Sequence, residues 1–251
     1  MLLNGKLIHQ TSDDYGSIEV IDYFNEVRAL HFGNTTLQSA SLLCNPNFLI
    51  HKYAQAMLLP LCWLEVKRVL VLGLGAGSIV KYLYHYHPET EIDTVELRPG
   101  VVSVASDFFK LPAEDSRLRI YIDSAKNWLA NNSQKKYDLM IVDTFLSSAT
   151  GKDYTVDVSS AFQHFNTMLS ANGIIVINHL GEDMQNYPGF SQLVNTFNKP
   201  IHAVNIAPSN IIAYASHANI PKTVPVSKIT QLQKISSLPY EEYFAAMWPI
   251  N

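Results

Sequence analysis

Apolar positions along this chain follow two spacings, and the switches between them mark out most of the elements. Residues 66–72, Val-Lys-Arg-Val-Leu-Val-Leu, form a near-continuous apolar run of the kind found in strands buried on both faces of a parallel sheet. Similar short runs recur at 91–97, 118–123, 137–143 and 173–178. Between them, apolar residues return at helical spacing over 79–84, 101–109, 127–130 and 161–169. Strands alternating with short helices predict a doubly wound, mostly parallel sheet. Two further runs, 200–206 and 210–216, are joined only by Ala207, Pro208 and Ser209. A parallel crossover needs a dozen or more residues, so these two strands are expected to pair antiparallel and bring the sheet to seven strands.

The first 44 residues carry a different pattern. Runs at 17–24 and 27–32 are rich in β-branched and aromatic residues and flank Asn25 and Glu26, which predicts a hairpin, with a third strand at 35–39. The expected organisation is a small antiparallel β appendage over 1–44 followed by an α/β core over 45–251. That core opens with a helix bearing Phe48, Ile50, Tyr53, Met57 and Leu58. A packing helix with Ile229, Leu232, Ile235 and Leu238 follows the last strands.

Chemistry concentrates after the first core strand. Gly73, Gly75 and Gly77 follow it directly, and three alternate glycines let a loop turn sharply and a ligand approach its backbone. Ser78 is the expected N-cap of the next helix, whose free amides favour an anionic group. Glu96 ends the second core strand, at the distance where a carboxylate accepts hydrogen bonds from ribose hydroxyls. Ser78 occupies the place where the dinucleotide fingerprint has glycine or alanine, so both nicotinamide dinucleotides and adenosyl sulfonium compounds remain open as cofactors. Asp123 and Asp143 end two further strands, at the carboxyl edge where ligands of such sheets bind.

Composition narrows the function classes. The chain has 251 residues, 47% of them hydrophobic and 16% charged, enough to bury a full core. A formal charge of −4 and the absence of any long Lys/Arg cluster argue against nucleic acid as a partner. No run is long enough to span a membrane and no signal peptide is visible, so the cytoplasm is the expected compartment. Cys44 and Cys62 are far apart and form neither a disulfide framework nor a thiolate metal site. His85 and His87 lie late in the first crossover helix, away from the carboxyl edge, and no metal is expected there.

With these residues aligned, the chain resembles the spermidine synthase (aminopropyltransferase) family of the class I methyltransferase-like superfamily, visibly from about residue 38 to 179. Gln38 looks like the glutamine that follows the family's N-terminal sheet. Residues 71–78 resemble its Gly-Gly-Gly-Asp-Gly loop, and residues 95–102, Val-Glu-Leu-Arg-Pro-Gly-Val-Val, resemble its Val-Glu-Ile-Asp-x-x-Val-Val segment. The strand 137–143 matches the one that carries the catalytic aspartate, here Asp143. The resemblance implies a methyltransferase-like Rossmann domain, S-adenosylmethionine or its decarboxylated form as cofactor, a small amine acceptor and a homodimer. It assigns cofactor contacts to Gln38, Gly73, Gly75, Gly77, Glu96, Asp123 and Ser124.

Departures from the family pattern fall on the amine side. The family's Asp-x-x-Asp-Pro is here Asp143-Thr-Phe-Leu-Ser, with Leu146 in place of the second aspartate. Its acidic Asp-Glu pair is replaced by Asn45, Pro46 and Asn47, and the loop aspartate by Ala76. The family's adenine-contacting acid aligns with Ser124, one residue beyond Asp123. Asp153 or Asp157 are candidates to replace the lost carboxylate, while Phe145 and Tyr154 would line a more apolar acceptor pocket. The expected function is aminopropyl transfer to an amine other than putrescine. A methyltransferase and a non-catalytic binding homologue stand as alternatives.

Overall fold

Four antiparallel strands come first in the computed structural model, which describes residues 5–34, 37–147, 153–155, 161–206 and 210–250. They are β1 (Gly5–Asp13), β2 (Gly16–Tyr23), β3 (Val27–His31) and β4 (Ser39–Leu42), hydrogen-bonded in that order. The hairpin around Asn25 forms as expected, turning through Phe24 and Asn25 at positive φ of 54° and 56°. Strand β1 carries no apolar alternation and sits at the sheet's edge, which is why its sequence gives no strand signal. The third strand expected at 35–39 lies further on, at β4; Thr35 and Thr36 fall outside the described residues.

The core follows with α1 (Lys52–Met57), a short 3-10 turn over Leu59–Cys62, β5 (Arg68–Leu72), α2 (Ser78–Tyr86), β6 (Glu91–Glu96), α3 (Pro99–Phe109), β7 (Leu118–Ile122), α4 (Ala125–Asn131) and β8 (Tyr137–Val142). A small hairpin of β9 (Phe145–Ser147) and β10 (Asp153–Thr155) precedes α5 (Phe162–Met168) and β11 (Leu169–Leu180). The chain continues through α6 (Phe190–Thr196), β12 (Ile201–Ile206), β13 (Asn210–Ser216), α7 (Val226–Ser236), α8 (Tyr240–Ala245) and β14 (Trp248–Ile250).

The main sheet runs β14-β12-β13-β11-β8-β5-β6-β7, with β11, β8, β5, β6 and β7 parallel. Strand β13 is antiparallel to both neighbours, as the short connection requires. Among the described residues the sheet has eight strands rather than the expected seven. The extra one, β14, is three residues long with Pro249 at its centre, and it pairs with the edge strand β12. Proline has no N–H for a ladder and is tolerated only on such an edge, so nothing in the local sequence marks it as a strand.

Alternation along β5 shows how the core is built. Val69 and Val71 face one layer with Leu49, Met57, Ile79 and Leu83, while Leu70 and Leu72 face the other with Trp128, Phe162 and Phe165. Each of these four strand residues is at most 1% exposed. Burying one such side chain stabilises the fold by about 1.5–3 kcal/mol.

A third cluster joins the N-terminal sheet to the core. Ile18, Val20 and Leu30 pack on Ala76, Val101, Val104 and Phe109. Polar ties reinforce it: Arg28 donates to the Phe108 carbonyl at 3.0 Å, and Lys81, 1% exposed, donates to the Phe109 carbonyl at 2.8 Å and the Ser41 hydroxyl at 3.3 Å. Burial lowers the Lys81 ammonium to about 8.

The tail helix α7 ends at Ser236, so Leu238, expected within it, lies in the link to α8 and is still 1% exposed. Ser237 stops the helix in a left-handed conformation, at φ 58°.

Candidate active site

Strand order reverses between β5 and β8, so the loops leaving these two strands diverge and open a crevice at their carboxyl ends. The Gly73 amide donates to the Val95 carbonyl, and the Asp143 amide donates to the Leu72 carbonyl, both at 2.9 Å. Gly73 stands at φ 94°, and a Cβ added to it would lie 2.2 Å from the Asp143 carbonyl oxygen. Only glycine allows the two strand ends to approach this closely.

The other two glycines serve the turn differently. Gly75, at φ 55°, packs beneath Ser39 and lines the cavity. Gly77 is the N-cap of α2 at φ 71°, and a Cβ there would meet Leu111 at 2.7 Å. It does not line the cavity, so its part is conformational. Ser78, expected to cap the helix, is its first residue instead. Its hydroxyl donates to the Ala40 carbonyl at 3.3 Å and sits 3.2 Å from the Ser39 hydroxyl, fastening β4 over the loop. The left-handed turn that glycine permits moves the cap back by one residue.

The cavity, about 290 Å³, brings together Gln38, Gly73, Gly75, Glu96, Asp123, Ser124 and Asp143. Glu96 is 8% exposed; its Oε2 accepts from the Leu74 amide at 2.9 Å and its Oε1 from the Arg98 amide at 3.0 Å. Burial raises its carboxyl, and these amides oppose the rise. Glu96 therefore holds the glycine loop's shape as well as facing the cavity. Asp123 and Ser124 both reach the cavity; Asp123 Oδ1 accepts from the Ser124 amide at 2.7 Å, and Ser124 Oγ caps α4 by accepting from the Asn127 amide at 3.2 Å. The one-residue offset between them does not take either away from the site.

Asp143 stands on the far side of the glycine loop from these carboxylates. Its Oδ1 accepts from Asn178 Nδ2 at 2.8 Å, and burial raises its carboxyl from 3.8 to about 6, with the Asn178 bond opposing. Burial and the Asp143 charge together push the Tyr53 phenol up. A carboxyl poised there is ionised at neutral pH yet a better proton acceptor than an ordinary aspartate.

Several cavity residues carry no sequence signal of their role. Phe32, Leu49, His51, Tyr53, Arg98 and Thr144 line it. His51 stacks on Tyr53 with ring centroids 5.4 Å apart, and burial lowers its imidazole. Arg98, 2% exposed, donates to Asp13 at 2.8 and 3.0 Å and lies over the Phe32 ring at 4.5 Å. The basic residue after Glu96 and Leu97 was the one visible hint. Thr144 directly follows Asp143 at the end of β8, and the others come from α1, its approach and the N-terminal sheet, which only tertiary packing brings to the site.

Phe145 lines the cavity as expected. Leu146 pairs with Tyr154 across the β9–β10 hairpin. Asp157, and the side chains of Leu146, Asp153 and Tyr154, lie outside the described residues. His85 is in the last turn of α2 and His87 caps it; neither lines the cavity, and burial lowers the His87 imidazole to about 4. Among the described residues no group of three or more His, Cys, Asp or Glu side chains is arranged to hold a metal, and no helix is long and apolar enough to cross a membrane.

The parallel sheet, its antiparallel β13 and the cavity at the switch point define a methyltransferase-like α/β fold. Fold comparison agrees: a probable spermidine synthase from Corynebacterium glutamicum superposes with a TM-score of 0.71 at 18% identity, covering 92% of this chain and 88% of that one. The chain belongs to the spermine/spermidine synthase family, whose domain model matches residues 51–221. A polyamine aminopropyltransferase of Chromobacterium violaceum is 29% identical over 177 residues, 68% of this chain and 65% of the relative's length. The chain is also 32% identical over 138 residues to an eEF1A lysine and N-terminal methyltransferase of Xenopus laevis, 50% of this chain and 19% of that protein.

Proposed function

We propose that this chain is a spermidine synthase-like transferase that binds an adenosyl sulfonium compound, decarboxylated S-adenosylmethionine first among them, and passes its aminopropyl group to an amine other than putrescine. Family membership and the similarity to an aminopropyltransferase support the reaction class. The observation that carries the residue assignment is Asp143, at the switch point with its carboxyl raised to about 6.

The cavity's make-up fits a nucleoside. Carboxylates at the ends of β6 and β7 suit ribose hydroxyls and an adenine amino group, with Leu97, Ile79 and Ala125 offering apolar contact. Glycine at 73 and 75 keeps the loop backbone open to the ligand. Gln38 and Ser39 close the site from the N-terminal sheet. The bound sulfonium supplies a carbon already activated for attack by an amine. The chain's own task is alignment and proton removal. Asp143 attracts the acceptor's ammonium, takes its proton and presents the free amine to the activated carbon.

The acceptor's character follows from what surrounds Asp143. Among the described lining residues, the remaining carboxylates are Glu96 and Asp123, both on the nucleoside side. Tyr53, His51, Phe145 and Leu49 supply aromatic and apolar wall instead. Leu146 stands where the family has a second aspartate. An amine with a single cationic end and a less polar body fits this wall better than a diamine, whose second ammonium would go unpaired.

Methyl transfer is the second reading, raised by the partial similarity to the Xenopus methyltransferase over half of this chain. Calorimetry with S-adenosylmethionine, its decarboxylated form and methylthioadenosine separates the two. Preference for the decarboxylated form is expected; preference for the intact methyl donor would overturn aminopropyl transfer, and no binding of any would leave a non-catalytic homologue.

A further inference from the structure

Asp143 is held by a chain of carboxamides and not by a cation. Asn178, 1% exposed on β11, donates Nδ2 to Asp143 Oδ1 at 2.8 Å, and its own Oδ1 accepts from Asn210 Nδ2 at 2.9 Å. Strand register places the three together. Ile177 pairs with Val142, so Asn178 and Asp143 are the next step along β11 and β8. Asn178 pairs with Ile212 on β13, and Asn210 lies two residues from that partner, on the same face.

The direction of this chain is set by chemistry. An ionised carboxylate only accepts hydrogen bonds, so Asn178 must turn its NH₂ toward Asp143. Its oxygen then faces away, buried, and needs a donor, which Asn210 supplies. Among the described residues the side-chain hydrogen bond to Asp143 goes to Oδ1, and Asp143 itself lines the cavity. A lysine or arginine in place of the amide would lower the carboxyl strongly and weaken it as a base; a neutral amide orients it at little cost in basicity. The titratable groups on the other walls of the cavity are His51 and Tyr53, Glu96 and Arg98, Asp123 and Lys126.

We propose that Asn178 and Asn210 are positioning residues for the transfer step, aiming Asp143 Oδ2 at the acceptor amine and keeping that carboxylate free to take its proton. This rests on the reading of Asp143 as the group that receives the acceptor's proton. Asn178 acts directly on the carboxylate and Asn210 acts through Asn178, so their removal should give the same effects in descending size.

The test titrates the Asp143 carboxyl by ¹³C NMR, which needs no turnover, alongside the pH profile of kcat/KM. In Asn178→Leu the carboxyl midpoint and the ascending limb of kcat/KM should both move up by about one pH unit, so that kcat/KM falls about tenfold at pH 5 but only about twofold at pH 7, with KM for the sulfonium substrate unchanged. Asn210→Leu should move both in the same direction by less, and Asn210→Ser, which keeps a donor, should restore most of the difference. Should Asn178→Leu fail to fold, the two Asn210 variants carry the comparison. An Asp143 titration unmoved in the leucine variants, or a loss of kcat that is the same at every pH, would overturn the relay. If the wild-type chain transfers nothing to any amine, the proposed function falls, while the carboxyl titration still decides whether the relay governs Asp143.

Discussion

Asp143 and Gly73 touch across the switch point, and each constrains what the other position accepts. The 2.2 Å separation between a Cβ built at Gly73 and the Asp143 carbonyl, together with a φ of 94°, leaves alanine no relaxed conformation. Gly73→Ala should cost about 2 kcal/mol or more and displace Asp143. Urea denaturation with calorimetric titration of the adenosyl ligand checks this, and a variant matching wild type in both would refute the account. Asp143→Asn should cut transfer by about 10²–10⁴-fold while leaving adenosyl binding intact. Its effect on stability runs the other way. Asp143 has its folded carboxyl raised from 3.8 to about 6, so the folded state holds a proton more tightly than the unfolded chain, and stability is lost as pH rises through that window. At pH 8 the asparagine variant should therefore melt higher than wild type, and at pH 3 the advantage should vanish. In wild type, kcat/KM should rise with pH through about 6 as the base ionises.

Residues 38–41 and the turn between β1 and β2 make the N-terminal sheet part of the site. Asp13, the last residue of β1, takes two hydrogen bonds from the guanidinium of Arg98, which is 2% exposed and lines the cavity. Removing the carboxylate leaves a buried cation with the Gly16 carbonyl at 2.9 Å, the rings of Phe32 and Tyr15 and the Glu96 charge beside it. Asp13→Ala should cost about 2 kcal/mol and weaken adenosyl binding, as differential scanning fluorimetry with and without ligand would show. A variant as stable as wild type would mean that the bridge contributes little. At this scale the sequence was readable where an element repeats a pattern over several residues. The five parallel strands and α2, α3, α4 and α5 were expected within a few residues of where they lie, because their apolar alternation reports burial on one or two faces. The edge strands β1 and β14 and the β9–β10 hairpin were not, because an exposed or three-residue strand is stabilised by its partner's hydrogen bonds and leaves no periodicity.

Taken as a whole, the molecule exposes Leu7, Tyr15, Phe24 and Leu43 on or beside the N-terminal sheet, at 40–70% exposure. Exposed apolar side chains favour association, and we propose a homodimer through that sheet. Light scattering after gel filtration should give twice the 28.2 kDa chain mass, and Phe24→Asp should shift it toward monomer; a wild-type monomer would refute the expectation. The sequence by itself determined the parallel sheet, the glycine loop and the carboxylates at the strand ends, because these depend on local pattern and on residues placed next to the strands that position them. It also showed where the chain departs from the family pattern, since Leu146 and Ala76 are visible by substitution alone. Only the tertiary structure decided that His51, Tyr53 and Arg98 wall the cavity, that Gly77 and not Ser78 caps α2, and that Asn178 and Asn210 hold Asp143. Apart from the cap, which the left-handed turn at Gly77 sets locally, these depend on contacts between segments tens of residues apart. Strand order and register, not local spacing, bring such groups within hydrogen-bonding distance.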